Sequence, residues 1–167
     1  MKDSGNSFHA RHLKRALDYV MNPEKTQGGR LVGAINCQAD MAFEQMMDTK
    51  KQFGKTDKRQ GYHIILSFKE DEVEPDRAFE ITQKFVAEYL GDAYEAVFVV
   101  HDNTDHVHSH IVFNSVSFVV PTGARSLVIP NLWKPGLQGS SVPVSITATL
   151  CAAGRKAVWS RRIPCSG

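Results

Sequence analysis

A chain of 167 residues with 42% hydrophobic content carries enough apolar material for one globular domain with a sizeable core. Three cysteines, Cys37, Cys151 and Cys165, are odd in number and spaced for neither a disulfide framework nor a zinc ribbon, so reduced thiols are expected. The net charge of +2 hides an asymmetry: all 18 acidic residues lie between Asp3 and Asp105, and from Phe118 onward there are six basic residues and no acidic one.

The N-terminal stretch MKDSGNSFHARHLKRALDYV has no signal-peptide pattern, and no later run approaches the roughly 18 apolar residues of a membrane helix. A cytoplasmic protein without a membrane segment is the expectation. From Phe8 onward, Leu13, Leu17 and Val20 follow helical spacing until Asn22-Pro23 ends the helix, which places Tyr19 in its last turns. Leu31 to Cys37 is short and apolar and follows Gly28-Gly29, as a strand does. Ala39 to Phe53 has the length and composition of a helix, with Gly54 as its C-terminal stop.

Tyr62 to Phe68 reads as a second strand. Pro75 opens a helix whose Phe79, Phe85, Val86 and Leu90 supply an apolar face before Gly91. Tyr94 to Val100 is a third strand, and after the polar bend Asp102 to Asp105, Val107 to Phe118 is a fourth, pairing antiparallel with the third. This order predicts an α+β fold, a two-layer sandwich with an antiparallel or mixed central sheet and helices packed on one face.

The histidines carry the most chemistry. A strand alternates faces with period two, so His108 and His110 point to the same side and His106 to the other. If the third and fourth strands are neighbours, His101 lies beside the start of the fourth and completes a three-histidine site. Three neutral imidazoles leave positions open on a divalent metal, which can then bind phosphate oxygens and stabilise charge on a leaving oxygen. A nucleophile is also needed, and Tyr19, Tyr62, Tyr89 and Tyr94 are available; spacing alone does not choose among them.

The successive segments ALDYVMNPEKT, LVGAINC, GYHIILSF and HDNTDHVHSHIVFNSVSF resemble, in order and spacing, the motifs of conjugative relaxases, the mobilisation nucleases of plasmids and integrative elements. That family belongs to the HUH endonucleases, whose core is ferredoxin- or RRM-like. The two motif histidines would be His108 and His110, around Ser109 where the family places a hydrophobic residue. Ser109 is expected to face away from the site and to matter little.

The resemblance implies a site- and strand-specific endonuclease and transesterase. Tyr19 would attack the origin-of-transfer phosphate, form a 5′-phosphotyrosyl link and free a 3′ hydroxyl. His101, His108 and His110 would hold Mg2+ or Mn2+, the partner would be single-stranded DNA at the origin, and relaxosome accessory proteins would assist. Since a phenol ordinarily titrates near about 10, its deprotonation during attack needs help. Many relatives carry an acidic residue where this chain has Asn103. Asp102 and Asp105, which flank it, and Asn114 and His63, which match positions that recur in the family's strands, are candidates for positions behind the metal ligands.

Arg11, Lys14, Arg15, Lys25 and Arg30, with Lys50, Lys51, Lys55, Lys58 and Arg59 further on, are candidates for binding backbone phosphates. The resemblance runs from about Phe8 to Phe118, whereas relatives begin with a strand before the first helix and continue with further helical segments. A partial catalytic domain over 1–120 is expected, followed by an atypical basic tail over 121–167 that is disordered or frameshifted. Two other functions fit the residues: a non-catalytic single-stranded DNA-binding remnant, and an unrelated metallohydrolase using the three histidines with a water nucleophile.

Overall fold

The segments AVFVV and HIVF are apolar or buried at both alternating positions, a pattern that suits strands covered on two sides. In the computed structural model, which describes residues 6–57, 59–103, 106–118, 145–152 and 155–162, these segments form the middle of the sheet. The helices are α1 (Asn6–Val20), α2 (Ala42–Gln52) and α3 (Pro75–Tyr89). The strands are β1 (Val32–Ile35), β2 (Gly61–Phe68), β3 (Ala96–His101), β4 (His108–Asn114), β5 (Ser145–Ala152) and β6 (Arg155–Arg162). Short 3-10 turns occupy Pro23–Lys25 and Ala39–Met41. Every strand pair is antiparallel, in the order β1-β3-β4-β2-β5-β6.

The α+β class and the antiparallel sheet agree with the sequence reading, but the helices divide between both faces. Leu13, Leu17 and Val20 of α1 and Ala42 and Met46 of α2 pack on Val97, Val99 and Val112. On the opposite face, Ala78, Ile81, Phe85 and Val86 of α3 pack on Ile64, Leu66, Phe98, Val100, Ile111 and Phe113. Alternation along β3 and β4 separates these two sets, so the expected single helical layer is corrected to one layer on each side. Among the described residues no helix is long and apolar enough to cross a membrane.

Local signals set the element ends. Asn22 accepts a hydrogen bond from Glu24 N at 2.9 Å and caps the turn after α1. Pro75 starts α3, and Gly54 and Gly91 adopt φ of +62° and +50° just beyond α2 and α3, a conformation that glycine enters without steric cost. Within the stretch expected to be a disordered tail, β5 and β6 are two eight-residue strands that extend the sheet beyond β2.

Cys37 is a free thiol, and burial followed by the nearby Glu95 pushes its pKa up to about 11. Only the backbone of Cys151 is described, and Cys165 and Lys58 lie outside the described residues.

Two sequence expectations are overturned beneath α2. Lys50 is 0% exposed, so it cannot bind a DNA phosphate from that position; its Nζ donates to Asn114 Oδ1 at 2.5 Å. Asn114 Nδ2 donates to Glu95 Oε2 at 2.5 Å, and Thr49 Oγ1 donates to Glu95 Oε1 at 3.1 Å. Asn114 therefore serves a buried network and not the histidines, from which it is four residues away along β4, roughly 13 Å at about 3.3 Å per residue. Burial lowers the Lys50 pKa from 10.5 to about 8, opposed by Glu95.

Between pH 8 and pH 10.5 the unfolded chain thus holds the extra lysine proton, and raising pH favours the folded state through this group. Glu95→Gln leaves the Lys50 ammonium buried without its countercharge. The expected loss is about 3 kcal/mol of unfolding free energy near neutral pH. That loss shrinks above about pH 8, where Lys50 is neutral. Urea unfolding of both proteins at the two pH values checks this, and equal losses would show that the charge pair contributes nothing.

Candidate active site

The β3–β4 ladder sets His101 directly opposite His108 and places His110 opposite Val99. All three histidines stand on the sheet face covered by α1 and α2. Ring centroids lie 5.4 Å apart for His101 and His108, 4.5 Å for His101 and His110, and 4.9 Å for His108 and His110. One nitrogen from each ring lies within 4.8 Å of the other two, close enough for one metal ion to be shared.

The second nitrogens have partners that orient the rings. His101 Nε2 donates to the Val20 carbonyl at 2.8 Å, and His108 Nδ1 donates to the His106 carbonyl at 3.0 Å. His110 Nδ1 lies 2.8 Å from His63 Nε2. With His110 as donor in this last pair, each ring directs its remaining lone pair into the cluster. His110 Nε2 is buried and has no hydrogen-bond partner within the protein, which is costly for a polar atom unless an ion occupies that side. The donor set therefore fits a divalent metal.

The electrostatics agree with neutral ligands. Burial, then His63, His101, His108 and Lys25, lowers the His110 pKa to about 2. Burial and then His101 lower that of His63 to about 4. His101 is also lowered, mainly by burial and against the Val20 carbonyl.

Tyr19, at the end of α1, brings its ring to 6.1 Å from His101 and 6.2 Å from His110, edge-on in both cases. It remains 53% exposed, open to a large substrate. Lys25 places its ammonium 3.9 Å from the centre of the Tyr19 ring.

The other candidates separate. His63 joins the cluster through His110. Asp102 accepts a hydrogen bond from Gln27 Nε2 and acts on His101 only through its charge. Asp105 lies outside the described residues. Arg11 and Arg15 are exposed on α1, Lys14 pairs with Asp18 at 3.3 Å, and Arg30 pairs with Asp76 and bonds Gln27. Ser109 faces away from the cluster, as expected, but its Oγ lies 2.6 Å from Thr82 Oγ1 and ties β4 to α3. The sequence reading missed Gln27 and the Val20 carbonyl.

The family model of relaxases, MobA/VirD2-like, nuclease domain, matches residues 19–122, beginning at Tyr19 and spanning all three histidines. The chain belongs to this relaxase family. Membership sets aside an unrelated three-histidine hydrolase.

This relaxase is 37% identical over 102 residues to a protein rlx of Staphylococcus aureus, covering 61% of this chain and 29% of that protein. It is 26% identical over 151 residues to the group II intron-interrupted relaxase LtrB of Lactococcus lactis subsp. cremoris, covering 75% of this chain and 27% of LtrB. A second Staphylococcus aureus rlx is 30% identical over 108 residues, 65% of this chain and 32% of that protein. The relaxase chain thus spans less than a third of these relatives where they match. No solved structure is significantly similar to it.

His110→Ala is expected to weaken Mn2+ binding by about 100-fold or more, and His63→Ala by about tenfold through loss of ring orientation. His106→Ala keeps the carbonyl that His108 uses and is expected to bind Mn2+ like the unaltered relaxase. Titration calorimetry ranks the three, and a loss in His106→Ala equal to that in His110→Ala would remove the assigned ligand set.

Proposed function

We propose that this relaxase domain nicks one DNA strand at an origin of transfer and becomes joined to it through Tyr19. The observation that supports this reading most strongly is the meeting of an exposed tyrosine with three converging imidazoles, from segments some eighty to ninety residues apart in sequence. In this reading His101, His108 and His110 hold Mg2+ or Mn2+. That ion supplies Lewis-acid polarisation of the scissile phosphate and charge stabilisation at the leaving oxygen.

The reaction is a transesterification. The Tyr19 oxygen forms a bond to phosphorus as the bond from phosphorus to the 3′ oxygen breaks. The phosphate stays on the 5′ oxygen of the downstream nucleotide, giving the 5′-phosphotyrosyl link. The phenol gives up one proton and the departing 3′ oxygen gains one, so no nucleotide energy is consumed. Tyr19 contributes the nucleophile, and its position at a helix end with its ring edge-on to His101 and His110 limits the directions from which a phosphate can approach. His63 and the Val20 carbonyl orient the ligand rings.

In this reading Arg11 and Arg15, exposed on the same helix as Tyr19, contact the phosphates of the single-stranded DNA that leads to the site. The substrate belongs to a plasmid or integrative element, the reaction takes place in the cytoplasm, and accessory proteins of a relaxosome assist in this reading.

A panel of labelled single-stranded origin oligonucleotides incubated with Mn2+ and run on a denaturing gel is expected to show protein joined to the 5′ end of the cleaved strand. Tyr19→Phe is expected to abolish the adduct while retaining DNA binding. An adduct that persists in Tyr19→Phe would sink the assignment of the nucleophile, and metal-independent, salt-sensitive binding without nicking would favour a non-catalytic DNA-binding remnant.

A further inference from the structure

The segment NPEKT between α1 and β1 is built to return the chain to Tyr19. Asn22 Oδ1 accepts from Glu24 N, Thr26 Oγ1 donates to Asn22 O at 3.0 Å, and Gly28 N donates to Pro23 O at 2.8 Å. Thr26 is fully buried and anchors the turn. Lys25, six residues after Tyr19, is thereby carried back until its ammonium sits 3.9 Å from the ring centre.

Other cations of α1 and of the loop that follows it behave differently. Lys14 and Arg30 have carboxylate partners, Asp18 and Asp76. Among the described residues no carboxylate lies within ion-pair distance of Lys25. Its ammonium lies beside the cluster, since the Tyr19 ring beneath it has its centre 6.1 Å from that of His101 and 6.2 Å from that of His110. An ammonium held over the Tyr19 ring without a carboxylate partner, next to a site suited to a divalent cation, would repel that cation. The arrangement becomes favourable when an anion bridges the two positive centres.

We infer that Lys25 is an active-site residue of the nicking reaction, holding a non-bridging oxygen of the scissile phosphate over the Tyr19 phenol and neutralising charge that develops as the oxygen–phosphorus bond forms. This rests on the proposed nicking function. Lys25 is thereby distinguished from a general backbone contact: its ammonium serves the reacting phosphate and, once the adduct has formed, the phosphotyrosyl group on the same ring. The ring itself fixes where the ammonium can stand, since a cation over an aromatic face is attracted to it.

The test uses the full chain with Mn2+ and an origin oligonucleotide that the unaltered protein converts to adduct, comparing it with Lys25→Met and Lys25→Arg. At saturating DNA, single-turnover adduct formation is expected to fall about 100-fold in Lys25→Met. Its DNA affinity should stay within about threefold, and Lys25→Arg should recover at least about tenfold of the lost rate. A Lys25→Met protein that forms adduct at the normal rate would overturn the inference. So would a parallel loss of affinity with a lower salt slope of binding, the mark of an ordinary phosphate contact. If the unaltered protein forms no adduct on any origin oligonucleotide, the nicking reading fails and this role fails with it.

Discussion

Antiparallel pairing of β3 with β4 holds His101 opposite His108 and brings His110 to the same face two residues later. A slip of one residue between these strands would turn the β4 histidines toward α3 and leave His101 facing α1 alone. Register is therefore the constraint beneath the site. It is held by the two apolar clusters on opposite faces, since any slip would also expose Ile111 and Phe113 or Val112 to the wrong layer. Helices on both sides make the cost of a slip larger than in a sheet with one wet face.

Much of this was legible in the sequence because it depends on short-range periodicity. Alternation placed His108 and His110 together, and the polar bend between the strands put His101 beside them. Helix and strand limits also followed from local residues such as Asn22, Pro75 and Gly91. The placement of Tyr19 beside the cluster came from motif resemblance, since periodicity does not say which tyrosine meets the sheet.

What was not legible depended on tertiary packing. Lys50 resembles its basic neighbours Lys51 and Lys55 in sequence, and only the packing of α2 shows that it points inward to Asn114 and Glu95. Asn114 shares a strand face with His110, but face alone does not give distance along the strand. The second helical layer had a signal, the uninterrupted AVFVV, which a one-faced reading passed over. The strands β5 and β6 lack the acidic residues found earlier in the chain, and that charge shift obscured their alternation.

The bond from His101 to the Val20 carbonyl makes one imidazole serve two structures. Val20 ends α1, and its carbonyl belongs to the last turn, where no further helical amide is available to pair with it. The ring that offers one nitrogen to the cluster thus closes the end of the helix with the other. By thermodynamic reciprocity, an ion that steadies the ring also steadies the helix end, and whatever holds the helix in place tightens the grip on the ion. The end of α1 that carries Tyr19 and the histidine cluster are then two ends of a single coupled equilibrium, and under the proposed function a DNA strand bound at Tyr19 would change the affinity of the cluster behind it.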